Sequence, residues 1–248
     1  MTDITHLQQT HSVQYGERNL RFHWSPRGYQ QRKARIHVHP NGVVEVETPH
    51  DVSLKEAKQA LLKRARWVTR HLKDIEARRA AIYPRQYVSG ETLFYLGRRH
   101  TLKIIQGEKE QGAKLLRGQL RVTTKDPNPA TVKQLVGQWY KERAQDVFDR
   151  RLKTVAENLT WLKTLPPWTI RQMKTQWGSC SPSGTIILNP HLVKTPTRCI
   201  DYVILHELCH LKEHNHSQKF YRLLEKEMQD WEAIKARLDG MSEFYLNE

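Results

Sequence analysis

Apolar positions in the first half of the chain follow two different periods. Alternating apolar and polar residues predict strands over Val13 to Trp24 and Ala34 to Glu47, the second interrupted by the turn sequence His39-Pro40-Asn41-Gly42. The period then lengthens, with Leu54, Ala57, Leu61, Ala65, Val68, Leu72 and Ile75 recurring at three- and four-residue steps. Ser53 with Glu56 three positions on forms a capping-box sequence that opens this long helix. Lys55, Lys58, Lys63, Arg64, Arg66, Arg70, Lys73, Arg78 and Arg79 make its other face basic. From Thr92 to Thr124 short strands return, with turns at Gly97, Gly107 to Gly112 and Gly118.

In the second half, Pro127-Asn128-Pro129 marks a break, with Asn128 as helix cap and Pro129 at the first helical position. Val132, Val136, Trp139, Tyr140, Val147, Phe148 and Leu152 then form a core stripe on a helix running to Asn158. Thr169 to Trp177 and Thr185 to Asn189 read as two strands around the turn Ser181-Pro182-Ser183-Gly184. A helix begins near Thr197, and a last one runs from Ser217 to Leu238, burying Phe220, Leu223, Leu224, Met228, Trp231 and Ile234. The architecture expected is α+β: a mixed-sheet half with a long basic helix, residues 1–125, and a compact helical half with strands, residues 126–248.

Composition narrows the function classes. A hydrophobic share of 38% fills a core, and no apolar run approaches the roughly 18 residues that a membrane span needs. Met1-Thr2-Asp3-Ile4-Thr5-His6 lacks a basic start followed by an apolar run, so neither secretion nor membrane spanning is expected. Three cysteines, Cys180, Cys199 and Cys209, without a CxxC, are the sparse set of reduced thiols found in a cytoplasm. The net charge of +15 is uneven: residues 1–125 hold 24 Lys/Arg against 11 Asp/Glu, and residues 126–248 hold 17 against 15. A basic first half suits nucleic acid, a ribosome or an anionic substrate such as a nucleotide, although a solvated helix face gives the same pattern.

The chemistry concentrates in His206-Glu207-Leu208-Cys209-His210, an HExxH sequence on an apolar, helix-favouring background. Residues four apart share a helix face, so the two imidazoles can converge on one ion while Glu207, about 100° round the helix, is left to meet a water. A catalytic zinc takes a third protein ligand, for which His214 and His216 compete. On a continuous helix His214 would lie about 12 Å along the axis from His206, too far for a shared ion, so a turn must intervene. Asn215 tolerates the left-handed conformation that ends helices and Ser217 can cap a following one, which favours His216 at the bend. His206, His210 and His216 match the HExxHxxxxxH spacing of metzincins, but Glu213 stands where that family has its helix-ending glycine. Trp177, Gly178 and Ser179, on the strand before the metal helix, are candidates for a cleft rim that holds an extended substrate. Cys180 has no partner spacing for ligation and reads as a structural thiol. Tyr202, Tyr221, Arg171 and Arg222 are all candidates for stabilising a developing oxyanion.

Several segments together carry a resemblance: Lys174-Thr175-Gln176-Trp177-Gly178-Ser179-Cys180-Ser181, Gly184-Thr185-Ile186-Ile187-Leu188-Asn189, Asp201-Tyr202-Val203, the HExxH segment, Asn215-His216-Ser217 with Phe220, and more weakly Tyr95-Leu96-Gly97-Arg98-Arg99. On these the chain resembles the YgjP-like metal-dependent hydrolases, relatives of the WLM and SprT-like zinc metallopeptidases. The resemblance implies a zincin-like second half, one zinc ion on His206, His210 and His216, and Glu207 as base. It is compatible with a cytoplasmic metallopeptidase, the reading that this ligand set and a cleft-side strand favour, or alternatively with an enzyme that splits the phosphoanhydride of a nucleoside triphosphate such as UTP. A third reading, a nucleic-acid or ribosome-binding protein with a structural zinc, is suggested by the basic half, but Glu207 beside a three-ligand site with an open coordination position argues against it.

Overall fold

The computed structural model describes residues 10–26, 34–38, 42–80, 85–107, 111–173 and 176–246. The sequence from Met1 to His6, the turn residues His39 to Asn41, the Arg78 and Arg79 side chains, and Lys174-Thr175 lie outside the described residues. The chain divides into two compact units, Met1–Tyr83 and Pro84–Glu248.

In the first unit β1 (Thr10–Tyr15) and β2 (Arg18–Pro26) are antiparallel, β3 (Arg35–Val38) pairs antiparallel with β4 (Val44–Thr48), and β2 and β4 join in parallel. The sheet order is β1-β2-β4-β3. The single strand expected over Val13 to Trp24 is therefore a hairpin, folded at Gly16, whose φ of 58° is open to glycine at little cost. Ser53 opens α1 (Leu54–Lys63) with the expected reciprocal cap: its backbone N–H donates to Glu56 Oε2 at 2.9 Å, and the Glu56 N–H donates to Ser53 Oγ at 3.3 Å. The long helix of the sequence reading is two helices, because Arg64 (φ −110°, ψ 6°) separates α1 from α2 (Ala65–Ala80). Leu61 and Ala65 are fully buried on either side of that break, so the apolar spacing crosses it unchanged. Both join Leu20, Phe22, Val44, Val46, Ala57 and Val68 in one core, while Lys63, Arg66, Arg70 and Lys73 are exposed.

The second unit begins with β5 (Thr92–Tyr95), β6 (Arg98–Gln106), β7 (Gly112–Leu116) and β8 (Gln119–Thr124), in the order β5-β6-β8-β7. Helix α3 (Pro129–Glu157) follows, capped as expected by Asn128, whose Oδ1 accepts from the Thr131 N–H at 2.8 Å. Leu93, Leu102, Leu120 and Val122 of this sheet share a core with Val132, Val136, Trp139 and Phe148 of α3. The second sheet thus buries its apolar face on α3 within the unit Pro84–Glu248.

A small sheet of order β10-β11-β9 comes next, from β9 (Trp168–Ile170), β10 (Gly178–Cys180) and β11 (Ile186–Leu188). Thr169 to Trp177 is not one strand. β9 pairs in parallel with β11, and the hairpin partner of β11 across the Ser181–Gly184 turn is Gly178–Cys180. A 3₁₀ helix (Pro190–Lys194) leads into α4 (Thr197–Cys209), α5 (Gln218–Glu227) and α6 (Trp231–Leu246). The last helix of the sequence reading is thus interrupted at Met228, which is extended at φ −151° and ψ 92°. Among the described residues no helix is long and apolar enough to cross a membrane.

The β5–β6 turn ties the larger sheet to the start of α4. Leu96 and Gly97 have φ of 49° and 75°, and their N–H groups donate to the carbonyls of Val193 (2.9 Å) and Lys194 (3.1 Å). These are the carbonyls that the end of a short helix leaves unpaired. A Cβ on Gly97 would stand 2.8 Å from Cγ of Pro196, the N-cap of α4. We predict that Gly97→Ala destabilises the protein by about 2–4 kcal/mol in urea unfolding, from the left-handed backbone and the overlap together. A loss below about 0.5 kcal/mol would show that the turn is not fixed against Pro196.

Candidate metal centre

Helix α4 is a core helix, with Ile200, Val203, Ile204, Leu205 and Leu208 all buried, so its orientation is set by packing on several sides. One polar clamp adds to this: Arg151 of α3 donates from Nε to Asp201 Oδ1 at 2.7 Å and from Nη2 to Oδ2 at 2.9 Å. Such two-pronged pairs fix direction as well as distance. Asn189, fully buried, fastens the preceding loop by donating from Nδ2 to the carbonyls of Met173 (2.7 Å) and Gln176 (2.9 Å) while its Oδ1 accepts from the His191 N–H.

The helix ends at Cys209 with His210 as its C-cap. The Leu211, Lys212 and Glu213 N–H groups reach back to the carbonyls of Leu208 and Cys209, and His210 Nδ1 donates to the Glu213 carbonyl at 3.2 Å. The turn therefore closes through backbone bonds in ordinary conformations. Asn215 does not adopt the left-handed conformation expected of it; it has no positive φ. Ser217 does cap α5, accepting from the Phe220 N–H at 3.4 Å.

This turn brings His216 back to α4. His206, His210 and His216 each offer one ring nitrogen, and the three lie within 4.8 Å of one another. His216 Nε2 is 2.9 Å from His206 Nε2. His214, exposed, is outside the trio. Two nitrogens on a tetrahedral zinc at about 2.1 Å stand about 3.4 Å apart, so ring movements of about half an ångström let the His206–His216 pair receive the ion. The donor set also fits. His206 is held well below its ordinary pKa by burial and by the neighbouring His216 and His210, and burial lowers His210 as well, so both rings are neutral near pH 7, the form in which an imidazole can bind a metal. The His210 Nδ1–H bond fixes the tautomer that leaves its Nε2 for a metal.

Glu207 is buried, and burial pushes its carboxyl up to about 8. Its place depends on β10: a Cβ on Gly178 would lie 2.8 Å from Glu207 Oε1 and 2.9 Å from its Cγ. Gly178 is thus the site's spacer as well as part of a strand at the sheet margin, with Ser179 half-buried beside it. Trp177, by contrast, packs in the core, and its carbonyl accepts from the Asn189 N–H. The Cys180 thiol, raised by burial and then by Glu207, donates to the Ser181 carbonyl and stands outside the trio. Of the four oxyanion candidates, Tyr202 faces His206 at 5.8 Å between ring centroids and Tyr221 stacks on His216 at 6.2 Å, whereas Arg171 and Arg222 are exposed. The turn glycine Gly97, the spacer role of Gly178 and the central ring Phe220 were not singled out as site features by spacing alone. The first two carry a sequence signal, a glycine inside a strand or turn pattern, that indicates close backbone approach.

Two outcomes follow from these contacts. Gly178→Ala forces Glu207 or Val203 to move, since Val203 Cγ1 would also lie 3.0 Å away, and a kcat loss of about 10²-fold with the fold retained by circular dichroism is expected; unchanged kcat would remove Gly178 from the site. A carboxyl whose folded pKa lies above its unfolded value favours the folded state at low pH and stops doing so as pH rises. Chelator-treated protein therefore loses stability as pH rises from 4.5 through about 8, and Glu207→Gln flattens that limb in thermal melts. Parallel melting curves for the two proteins would contradict a buried, titrating Glu207.

No curated protein matches the chain significantly. Two solved structures are similar over part of it, the metallopeptidase zymogens abylysin of Pyrococcus abyssi and jannalysin of Methanocaldococcus jannaschii. Each is 25% identical with a TM-score of 0.31; the match covers 38% of this chain and 90% and 92% of theirs, respectively. The model of the YgjP-like metallopeptidase domain matches residues 32–241, and the chain belongs to that family.

Proposed function

We propose that this protein is a zinc-dependent peptidase in which His206, His210 and His216 hold one ion and Glu207 is the general base. The observation that carries the reading is the convergence of three imidazoles beside a buried carboxylate that a glycine makes room for. All-nitrogen ligation by neutral rings suits zinc rather than the hard, oxygen-seeking calcium or magnesium. A cation held there supplies Lewis-acid polarisation of a substrate carbonyl and acidifies water. Glu207 takes the proton released as water attacks that carbonyl and delivers it to the departing amine. The side of β10 that has no strand beside it among the described residues, at the margin of its sheet, offers backbone groups to an extended peptide, with Gly178 and Ser179 next to the base.

The test is incubation of zinc-loaded protein with a peptide library and, in parallel, with the four nucleoside triphosphates. Peptide cleavage is expected, with Glu207→Gln retaining zinc by elemental analysis and losing about 10²–10⁴-fold in kcat. His216→Ala is expected to lose the ion, and His214→Ala to keep it. Pyrophosphate release without peptide cleavage would replace the peptidase reading, and a fully active, zinc-loaded Glu207→Gln protein would remove the assignment of the base.

A further inference from the structure

Phe220, fully buried on the first turn of α5, lies against all three histidine rings. Its centroid is 4.9 Å from that of His206, 4.6 Å from His210 and 4.8 Å from His216. The imidazole centroids are themselves 5.0, 4.9 and 4.7 Å apart. Six nearly equal separations place the four rings at the corners of an almost regular tetrahedron, with Phe220 as the one corner that cannot ligate.

We propose that Phe220 is a positioning residue for the metal centre, an apolar floor that holds the three imidazoles in a ligand-ready array and closes one side of it. A second, independent observation supports this. A ligating histidine is ordinarily oriented by a hydrogen bond at its other ring nitrogen, and His210 has one, to the Glu213 carbonyl. His206 Nδ1 is buried and, among the described residues, has no such partner. Packing must orient that ring instead, and Phe220 meets it edge-to-face at 68°. The phenyl group also suits the task chemically. It has no donor or acceptor to compete for the ring nitrogens, and it meets His216 at 75° and lies tilted at 30° to His210. Because one ring covers one side of the trio, an ion and its open coordination position belong on the other. Ser217 joins the third ligand to this floor: the cap that starts α5 sets Phe220 three residues after it, so His216 and Phe220 enter the site together.

The inference rests on the zinc reading, and one set of measurements separates the two. Wild-type protein and Phe220→Leu are compared for zinc affinity by chelator competition and for the visible spectrum of the cobalt-substituted form. Wild-type protein that takes up no zinc refutes the zinc reading itself. With zinc bound by the wild type, Phe220→Leu is expected to bind it about 10–100-fold more weakly and to give an altered cobalt spectrum, the scale seen when a group orienting a metal ligand is removed. Wild-type affinity and spectrum in the variant would overturn the inference and leave Phe220 as core filling. A measurement on the unaltered protein covers the case of a variant that does not fold. In the metal-free wild type, nuclear Overhauser contacts from the Phe220 ring to all three imidazoles are expected to persist, and their disappearance on removal of zinc would equally overturn the proposal.

Discussion

Three imidazoles drawn from both ends of a tight turn can share an ion only if the helix carrying two of them stops at the right residue. Here α4 ends with His210 as its cap, and His210 itself takes part in the stop by donating to the Glu213 carbonyl. One more helical turn would carry His216 away along the axis at about 1.5 Å per residue. The candidate site is therefore built on a helix terminus whose unpaired backbone groups are satisfied locally, by three N–H groups turning back and by the His210 ring.

The rest of the second unit holds that terminus still. The β5–β6 turn donates to the 3₁₀ helix before α4, Arg151 grips Asp201 five residues before His206, and Asn189 fastens the loop leading to β10. The two buried carboxylates of α4 are treated differently. Asp201 has a guanidinium, as a buried charge requires. Glu207 sits in a slot shaped by Gly178, and burial dominates its acidity. A carboxyl governed by burial is shifted toward the range in which a proton can be exchanged near neutrality.

Much of this was legible because it is local. The caps at Ser53, Asn128 and Ser217 involve partners three residues away, and the His206–His210 spacing is one helical turn; such features survive in a single sequence. What escaped depends on distant partners or on breaks that leave the apolar spacing intact. Arg64 interrupts a helix between two buried residues four apart, and Met228 does the same within the last apolar stripe, so periodicity alone cannot locate either. The shared core of the second sheet and α3 crosses residue 126, where net charge changes, so charge along the chain does not report it. Phe220 was visible as an apolar position, but its contact with three imidazoles exists only after α5 docks on α4.

The central claim is that one ion is held by His206, His210 and His216 with Glu207 beside it and not bound to it. An anomalous difference map at the zinc absorption edge, from crystals grown with zinc, tests it most directly. The account predicts a single strong peak within about 2.1 Å of one nitrogen of each ring, with a fourth position left to solvent or substrate. A peak ligated by Cys180 or by the Glu207 carboxylate in place of one of the rings, or no peak among them, would contradict it.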